Sequence, residues 1–288
     1  LGALYGQAPA QAAPVAAEVA PPAPAIGEAL DELVVDLDDS LSEAQVGALE
    51  ARYGASFLPV SAQVTRDRMY RVRVHGGEAQ KPALLLRLLA ALRREPQVEA
   101  ADLALVYQIP ETAPTALTRS ADEALPLPGG DVAGAGAQRD GRKVVPNDPK
   151  YKFQWHMDQI RMPAAWASSQ GEGVVVAVID IGVTKVEDLA GTELVPGYNF
   201  VDNNDDARDD HGHGTHVAGT IAQTTHNGLG VAGVAYKAKI MPIKVLSANG
   251  SGSVGGIAEG IRWAADHRAK DINMSLGGPY NTQELANA

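Results

Sequence analysis

The chain has 288 residues, 45% of them hydrophobic and 20% charged, enough for one large domain or two modest ones with a proper core. Its formal net charge of −11 opposes nonspecific attraction to nucleic-acid phosphates or an anionic membrane, and no apolar run approaches the length that spans a bilayer. The absence of cysteine excludes disulfides, thiolate catalysis and Cys-ligated zinc.

Residues 1–27 are rich in Ala and Pro and follow neither a helical nor a strand period, so they read as a disordered leader outside the fold. The small-residue stretch "LGALYGQAPAQAAPVAA" has the A-x-A-like tail of a secretory-signal remnant, and an Ala/Pro linker would have the same composition. At Asp31 the texture changes. "ELVVDLD" reads as a strand, and Ser42 followed by Gln45 is a capping-box start to a helix carrying Val46, Leu49 and Tyr53 and stopping at Gly54. "SFLPVSA" follows as the next extended segment, "MYRVRV" alternates as a half-buried strand does, Pro82 stands in the first turn of a Leu-rich helix, and "VEAADLALVYQIP" closes as another strand. The succession β-α-β-β-α-β over residues 28–110 predicts a compact α+β ferredoxin-like domain.

Residues 111–146 mix Pro, Gly and small polar residues without period, which is linker composition and a natural place for proteolysis. Beyond them, in residues 147–288, "GVVVAVID", "KIMPIKVL" and "INMSL" are β-branched or apolar runs of the kind buried on both faces of a parallel sheet. Helical segments after His213 and around residues 255–267 lie between them, so this half reads as α/β, doubly wound, with a mostly parallel sheet. The last residues, "PYNTQELANA", begin a helix with no stop signal, and the expectation is the N-terminal portion of a longer chain.

The segment "DDHGHGTHVAGTIA" places His211, His213 and His216 within six positions. One reading is a metal-dependent hydrolase, since "HGHGTH" is one residue short of the H-x-H-x-D-H ligand run; Thr215 stands where that run has its Asp, and a neutral hydroxyl cannot supply the charge. The other reading pairs one imidazole with Asp180, which "VVAVIDIGV" sets at the C-terminal end of a buried strand, where open α/β sheets carry their sites. A carboxylate there needs a hydrogen-bonding partner, and an imidazole is suited to the task. On that reading His216 is a buried, hydrogen-bonded residue one turn further on.

Taken together, "AVIDIGV", "HGHGTHVAGTIA" and "INMSLGG", in that order, resemble the motifs of the subtilisin-like serine proteases, the subtilases. "PNDPKYKFQWHMDQIRMPAAW" is similar to the opening of a mature thermitase-like or subtilisin-like domain, and residues 28–110 resemble the family's inhibitory propeptide. The resemblance implies a secreted endopeptidase zymogen acting on protein substrates, its propeptide blocking the cleft in cis, with Asp180 orienting His213 as general base. It places the serine, in a G-T-S-M-A context, beyond residue 288, so the sequence as given would be inactive; the nearby hydroxyls Ser247, Ser251, Ser253 and Ser275 lack that context. Gly250, Ser251 and Gly252 would form one edge of the substrate cleft and Ser275, Leu276 and Gly277 the other, the peptide adding as a strand. Calcium is implied at an acidic loop, Asn199, Asp202, Asn204 and Asp206, and at a second set, Asp148, Asp188 and Asn227 with the backbone oxygens of Thr224, Leu229 and Val231. Ile181 departs from the family's Ser or Thr after the Asp, removing a hydroxyl that helps hold the carboxylate. A function of another class, a propeptide-type inhibitor or folding helper without catalysis, would follow if no serine motif accompanied the chain.

Overall fold

The computed structural model describes residues 32–61, 68–75, 81–110, 143–278 and 282–288. The expected leader and nearly all of the expected linker lie outside these residues. In chain order the first half comprises β1 (Leu33–Leu37), α1 (Glu43–Tyr53), β2 (Ala55–Pro59), β3 (Met69–Val74), α2 (Lys81–Leu92), β4 (Val98–Leu103) and a short β5 (Val106–Gln108). The second comprises α3 (Trp155–Gln159), α4 (Met162–Ala165), β6 (Val175–Asp180), β7 (Tyr198–Asn199), α5 (His213–Ala222), β8 (Lys239–Lys244), β9 (Ser251–Ser253), α6 (Val254–Asp266), β10 (Asp271–Asn273) and α7 (Gln283–Asn287).

β1 to β4 form an antiparallel sheet in the order β2-β3-β1-β4. α1 begins where its capping chemistry puts it: Gln45 Oε1 accepts the Ser42 N–H at 2.9 Å and the Ser42 hydroxyl at 2.7 Å. It ends at Gly54, which takes the left-handed conformation, φ 58°, and returns its N–H to the Glu50 carbonyl. All five residues of β1 are buried, although its neighbours are antiparallel. Its alternate residues explain this. Leu33, Val35 and Leu37 pack with Val46 and Leu49 of α1 and Leu85, Leu88 and Leu92 of α2. Val34, on the other face, joins the core of the second half.

The second half carries a parallel sheet in the order β10-β6-β8-β7. Val176 and Val178 of β6 point to α5, meeting Ala218 and Ala222. Ala177 and Ile179 point the other way, into a core shared with Ile257, Ala258 and Ala264 of α6. A strand covered by a helix on each face has no polar side, which is why the sequence there is a continuous apolar run. Met157, Trp166 and Ala232 form a smaller cluster that pins the segment around α3 and α4, with the Trp166 indole N–H donating to the Val234 carbonyl at 2.8 Å.

β5 leaves the first sheet and pairs antiparallel with β9 of the second half, Tyr107 opposite Gly252. The two halves are joined by this ladder, by the apolar seam in which Val34, Met69, Leu105, Tyr107 and Ile109 meet Val254 and Ile257, and by polar contacts such as Arg262 to Asp36.

Candidate active site

β6 ends on Asp180 and α5 begins on His213, so the sheet's C-terminal edge brings a strand end and a helix start together. His213 Nδ1 lies 2.8 Å from Asp180 Oδ1 and 2.9 Å from Oδ2. The Asp180 side chain is fully buried, while the imidazole is 11% exposed. Burial pushes the Asp180 carboxyl above its ordinary pKa, against the opposing pull of the His213 hydrogen bond, the Ile181 N–H and the histidine charge. The Ile181 N–H reaches Oδ1 at 2.7 Å. This main-chain donor does not depend on the residue type at 181, and the Ile181 side chain, which supplies no hydroxyl, is buried in the core. With Nδ1 committed to a carboxylate, Nε2 is the ring nitrogen suited to exchange a proton with a reacting group.

The approach of α5 to β6 needs Gly214. A Cβ there would stand 2.1 Å from the Gly182 carbonyl oxygen and 3.1 Å from Asp180 Oδ1, so any side chain would push the helix, and His213 with it, off the carboxylate. Sequence reasoning missed the residue that holds this helix end, Asp209. Its Oδ1 accepts the N–H groups of His211 and Gly212, both at 2.8 Å, and its Oδ2 accepts the N–H of Thr215 at 2.8 Å and its hydroxyl at 2.6 Å. Burial opposes ionisation of Asp209, but these hydrogen bonds outweigh it and hold the pKa below the ordinary value. An acid just ahead of an amphipathic run was the available signal. Thr184 completes the latch, taking its N–H to Thr215 Oγ1 and its hydroxyl to the Asp209 carbonyl, both at 3.0 Å.

The residues named for the cleft come together, and β5 runs between them. Ile109 N–H donates to the Gly250 carbonyl at 3.0 Å, and Gln108 and Gly277 exchange N–H···O bonds of 2.9 Å each. Ser251 and Gly252 lie in β9, paired with β5. Pro110, next in the chain, shares a cavity of about 520 Å³ with His213, His216, Val217, Ser275 and Leu276. Four serine hydroxyls nearby serve local structure: Ser247 and Ser251 bond Asn249 Oδ1, Ser253 accepts the Gly256 N–H as cap of α6, and Ser275 accepts from Asn273 Nδ2.

His216 corrects an expectation: it is exposed, not buried. The inward face of α5 is filled by Gly214, Ala218 and Ala222, and His216, nearly one turn from His213, shares its cleft side. His211 is exposed in the loop before the helix. Among the described residues no group of three or more His, Cys, Asp or Glu is placed to hold a metal ion, so the His211, His213 and His216 cluster does not assemble as a metal centre.

The implied calcium ligands separate into two local arrangements. In the acidic loop, Asn199 Nδ2 donates to Asp202 Oδ2 at 3.0 Å and to the Asp206 carbonyl at 2.9 Å, Asn204 Oδ1 accepts the Asp206 N–H, and the Asp206 carboxylate is held bidentate by Arg208 at 2.6 and 2.7 Å. In the other, two carboxylates from distant parts of the chain converge on the turn 223–231. Asp148 accepts the N–H groups of His226 and Asn227, while Asp188 accepts from Gln223 Nε2, Asn227 Nδ2 and the Val231 N–H. The Leu229 N–H bonds Asn227 Oδ1, and the Thr224 N–H bonds the Asp188 carbonyl.

Residues 171–288 match the family described as the subtilase family. Thermitase of Thermoactinomyces vulgaris is 43% identical over 146 residues, covering 50% of this chain and 52% of thermitase. An extracellular basic protease of Dichelobacter nodosus is 37% identical over 182 residues, covering 47% of this chain and 30% of that protein. The chain therefore spans about half or less of the length of these relatives. The crystal structure of fervidolysin from Fervidobacterium pennivorans, a keratinolytic enzyme related to subtilisin, superposes with a TM-score of 0.62 over 88% of this chain and 37% of fervidolysin; at 22% identity this is a likeness of fold.

Proposed function

With residues 171–288 matching the subtilase family, we propose that the chain is part of a secreted serine endopeptidase zymogen. The observation that carries the reading is the buried Asp180 carboxylate gripping His213 Nδ1 at the head of a cleft already lined by paired strands. His213 Nε2 takes the proton of a serine hydroxyl as that oxygen attacks the scissile carbonyl, then returns it to the leaving amine. Asp180 fixes the tautomer and offsets the charge of the imidazolium in a site screened from water. The serine itself lies outside residues 1–288, consistent with the local roles of the four hydroxyls near the cleft. Protein substrates add as an extended strand between Gly250, Ser251, Gly252 and Ser275, Leu276, Gly277.

Residues 28–110 act as the propeptide. Their sheet order, that of a ferredoxin-like sandwich, supports this, as does the course of β5, which takes the place of substrate and delivers Pro110 beside His213. Cleavage in or before the segment 111–146 frees the enzyme. Secretion is supported by the extracellular relative and is compatible with the described residues, none of whose helices is long and apolar enough to cross a membrane. In the full-length protein, wild type should process itself and hydrolyse an unstructured protein substrate, with activity abolished by a serine-directed fluorophosphonate. His213→Ala should leave the precursor uncut; normal processing of that variant would assign the cut to another protease.

Calcium fits the turn at 223–231 better than the acidic loop. There Asp148, Asp188 and the Asn227 amide can supply oxygens together with the carbonyls of Thr224, Leu229 and Val231, a hard-oxygen set suited to calcium. In the loop Asn199–Asp206 an ion would have to displace the charged Arg208 from Asp206, whereas at the turn it would displace neutral amide groups of Gln223 and Asn227 from Asp188. The ion would brace the turn behind α5 and takes no part in the chemistry. Calcium at a hundredfold excess over its Kd should stabilise the full-length enzyme by about 2.7 kcal/mol; identical melts in EDTA and in excess calcium would remove the idea.

A further inference from the structure

We propose that Lys244 is a positioning residue for the Asp180–His213 pair, an inference that rests on the peptidase reading above. Lys244 ends β8 and is the register partner of Asp180 across the parallel ladder. Its side chain is only 3% exposed, among the aliphatic residues that close the strand. Nζ donates to the Ile181 carbonyl at 2.8 Å and to Asp210 Oδ1 at 2.7 Å. These two acceptors are on the two segments that must be kept in register. Ile181 is the residue whose N–H holds the Asp180 carboxylate. Asp210 stands beside Asp209, whose carboxylate holds the first turn of α5, and three residues ahead of His213.

The strand does not need this charge for its pairing. The backbone at 244–246 is already engaged, with the Phe200 N–H on the Lys244 carbonyl and the Val245 and Leu246 N–H groups on the Asp180 carbonyl. A buried ammonium is costly unless its donors are satisfied, and an apolar side chain of similar length would close the same strand at lower cost. What the ammonium adds is a tether: a compact charge with several donors joining the loop after Asp180 to the loop before His213. A base and its orienting carboxylate lose efficiency when their geometry drifts by fractions of an ångström, so the tether acts on the rate of the chemical step rather than on substrate affinity.

The test uses the full-length enzyme with three substitutions. Lys244→Met keeps length and removes the donors, Lys244→Arg restores a cation, and Asp210→Asn loosens only the half-exposed end of the tether. The direct readout is the downfield proton resonance of the His213 Nδ1–H facing Asp180, with kcat and KM measured alongside. Lys244→Met should shift or broaden that resonance and lower kcat about 10- to 100-fold with KM changed less than about threefold. Lys244→Arg should recover most of kcat, and Asp210→Asn should move both readouts in the same direction by a smaller factor. If Lys244→Met does not fold, Asp210→Asn alone carries the decision. A lower melting temperature with an unmoved resonance and unmoved kcat in the folded variants would overturn the proposal and leave Lys244 a stability residue. A wild-type chain without peptidase activity would instead overturn the peptidase reading, and the resonance would still decide whether Lys244 sets the geometry of the pair.

Discussion

Asp180 in the cleft and Glu284 in the seam between the two halves are both fully buried carboxylates, and burial is the first cause raising the pKa of each. Their surroundings differ. Asp180 has an imidazole against both oxygens and a main-chain N–H on one of them. Glu284 has one long contact, Arg262 Nη2 to Oε1 at 3.3 Å, and its Oε2 has no hydrogen-bond partner among the described residues. Arg262 is shared with Asp36 of β1 at 2.5 Å, the Glu284 N–H is taken by Asp102 of β4, and Glu99 lies within electrostatic reach. With burial and Asp36 foremost, the Glu284 carboxyl is pushed up to about 7. A carboxylate supplied with donors is kept in place to stabilise charge; one crowded by like charges becomes a proton-dependent contact.

The largest effect that would sharpen this contrast is on catalysis. In the full-length enzyme Asp180→Asn should lower kcat by about 10⁴-fold through the wrong histidine tautomer, whereas Glu284→Gln should leave it unchanged in the mature protein. Comparable losses in both would erase the distinction between the two sites. The next effect is on the seam. Because the folded pKa of Glu284 lies above the ordinary value of 4.5, its favourable contribution is complete below that value and is lost as pH rises through about 7. The upper limit of that loss is roughly 3 kcal/mol. Melts of the precursor at pH 5.5 and 8 should therefore favour the lower pH, and Glu284→Gln should flatten the dependence and raise the melting temperature at pH 8. An unchanged slope in Glu284→Gln would place the proton dependence elsewhere. The smallest effect is remote from both carboxylates: Ser42→Ala should cost about 1 kcal/mol through the cap of α1, read as a shift in denaturant midpoint with the pH slope intact.

Much of the fold was legible because its signals are local. The Ser42–Gln45 cap and the Gly54 stop are contacts within a few residues, and the element order of residues 32–110 follows from such signals taken in turn. The apolar runs of β6 and β8 announced a sheet covered on both faces. Asp180 and His213 were legible for another reason: their flanking glycines and small residues are themselves demanded by the close approach at Gly214. His216 was misread because helical spacing tells which residues share a face, but not which face meets the core. Lys244 and Glu284 escaped because what makes each of them matter is how deeply it is buried and which groups surround it, often from distant parts of the chain; Asp209, whose partners lie within six residues, carried a local signal that was not used.

The sequence by itself determined the periods, the caps, the order of the strands and helices and the residue types at the cleft, all of which depend on neighbours along the chain. Only the tertiary structure decided that Glu284 is buried with a shared guanidinium, that Lys244 bridges the loops beside Asp180 and His213, and that His216 faces outward. The physical reason is that desolvation and pairing belong to places in space. Whether a buried charge is satisfied depends on what the packing of remote segments brings within about 3 Å of it.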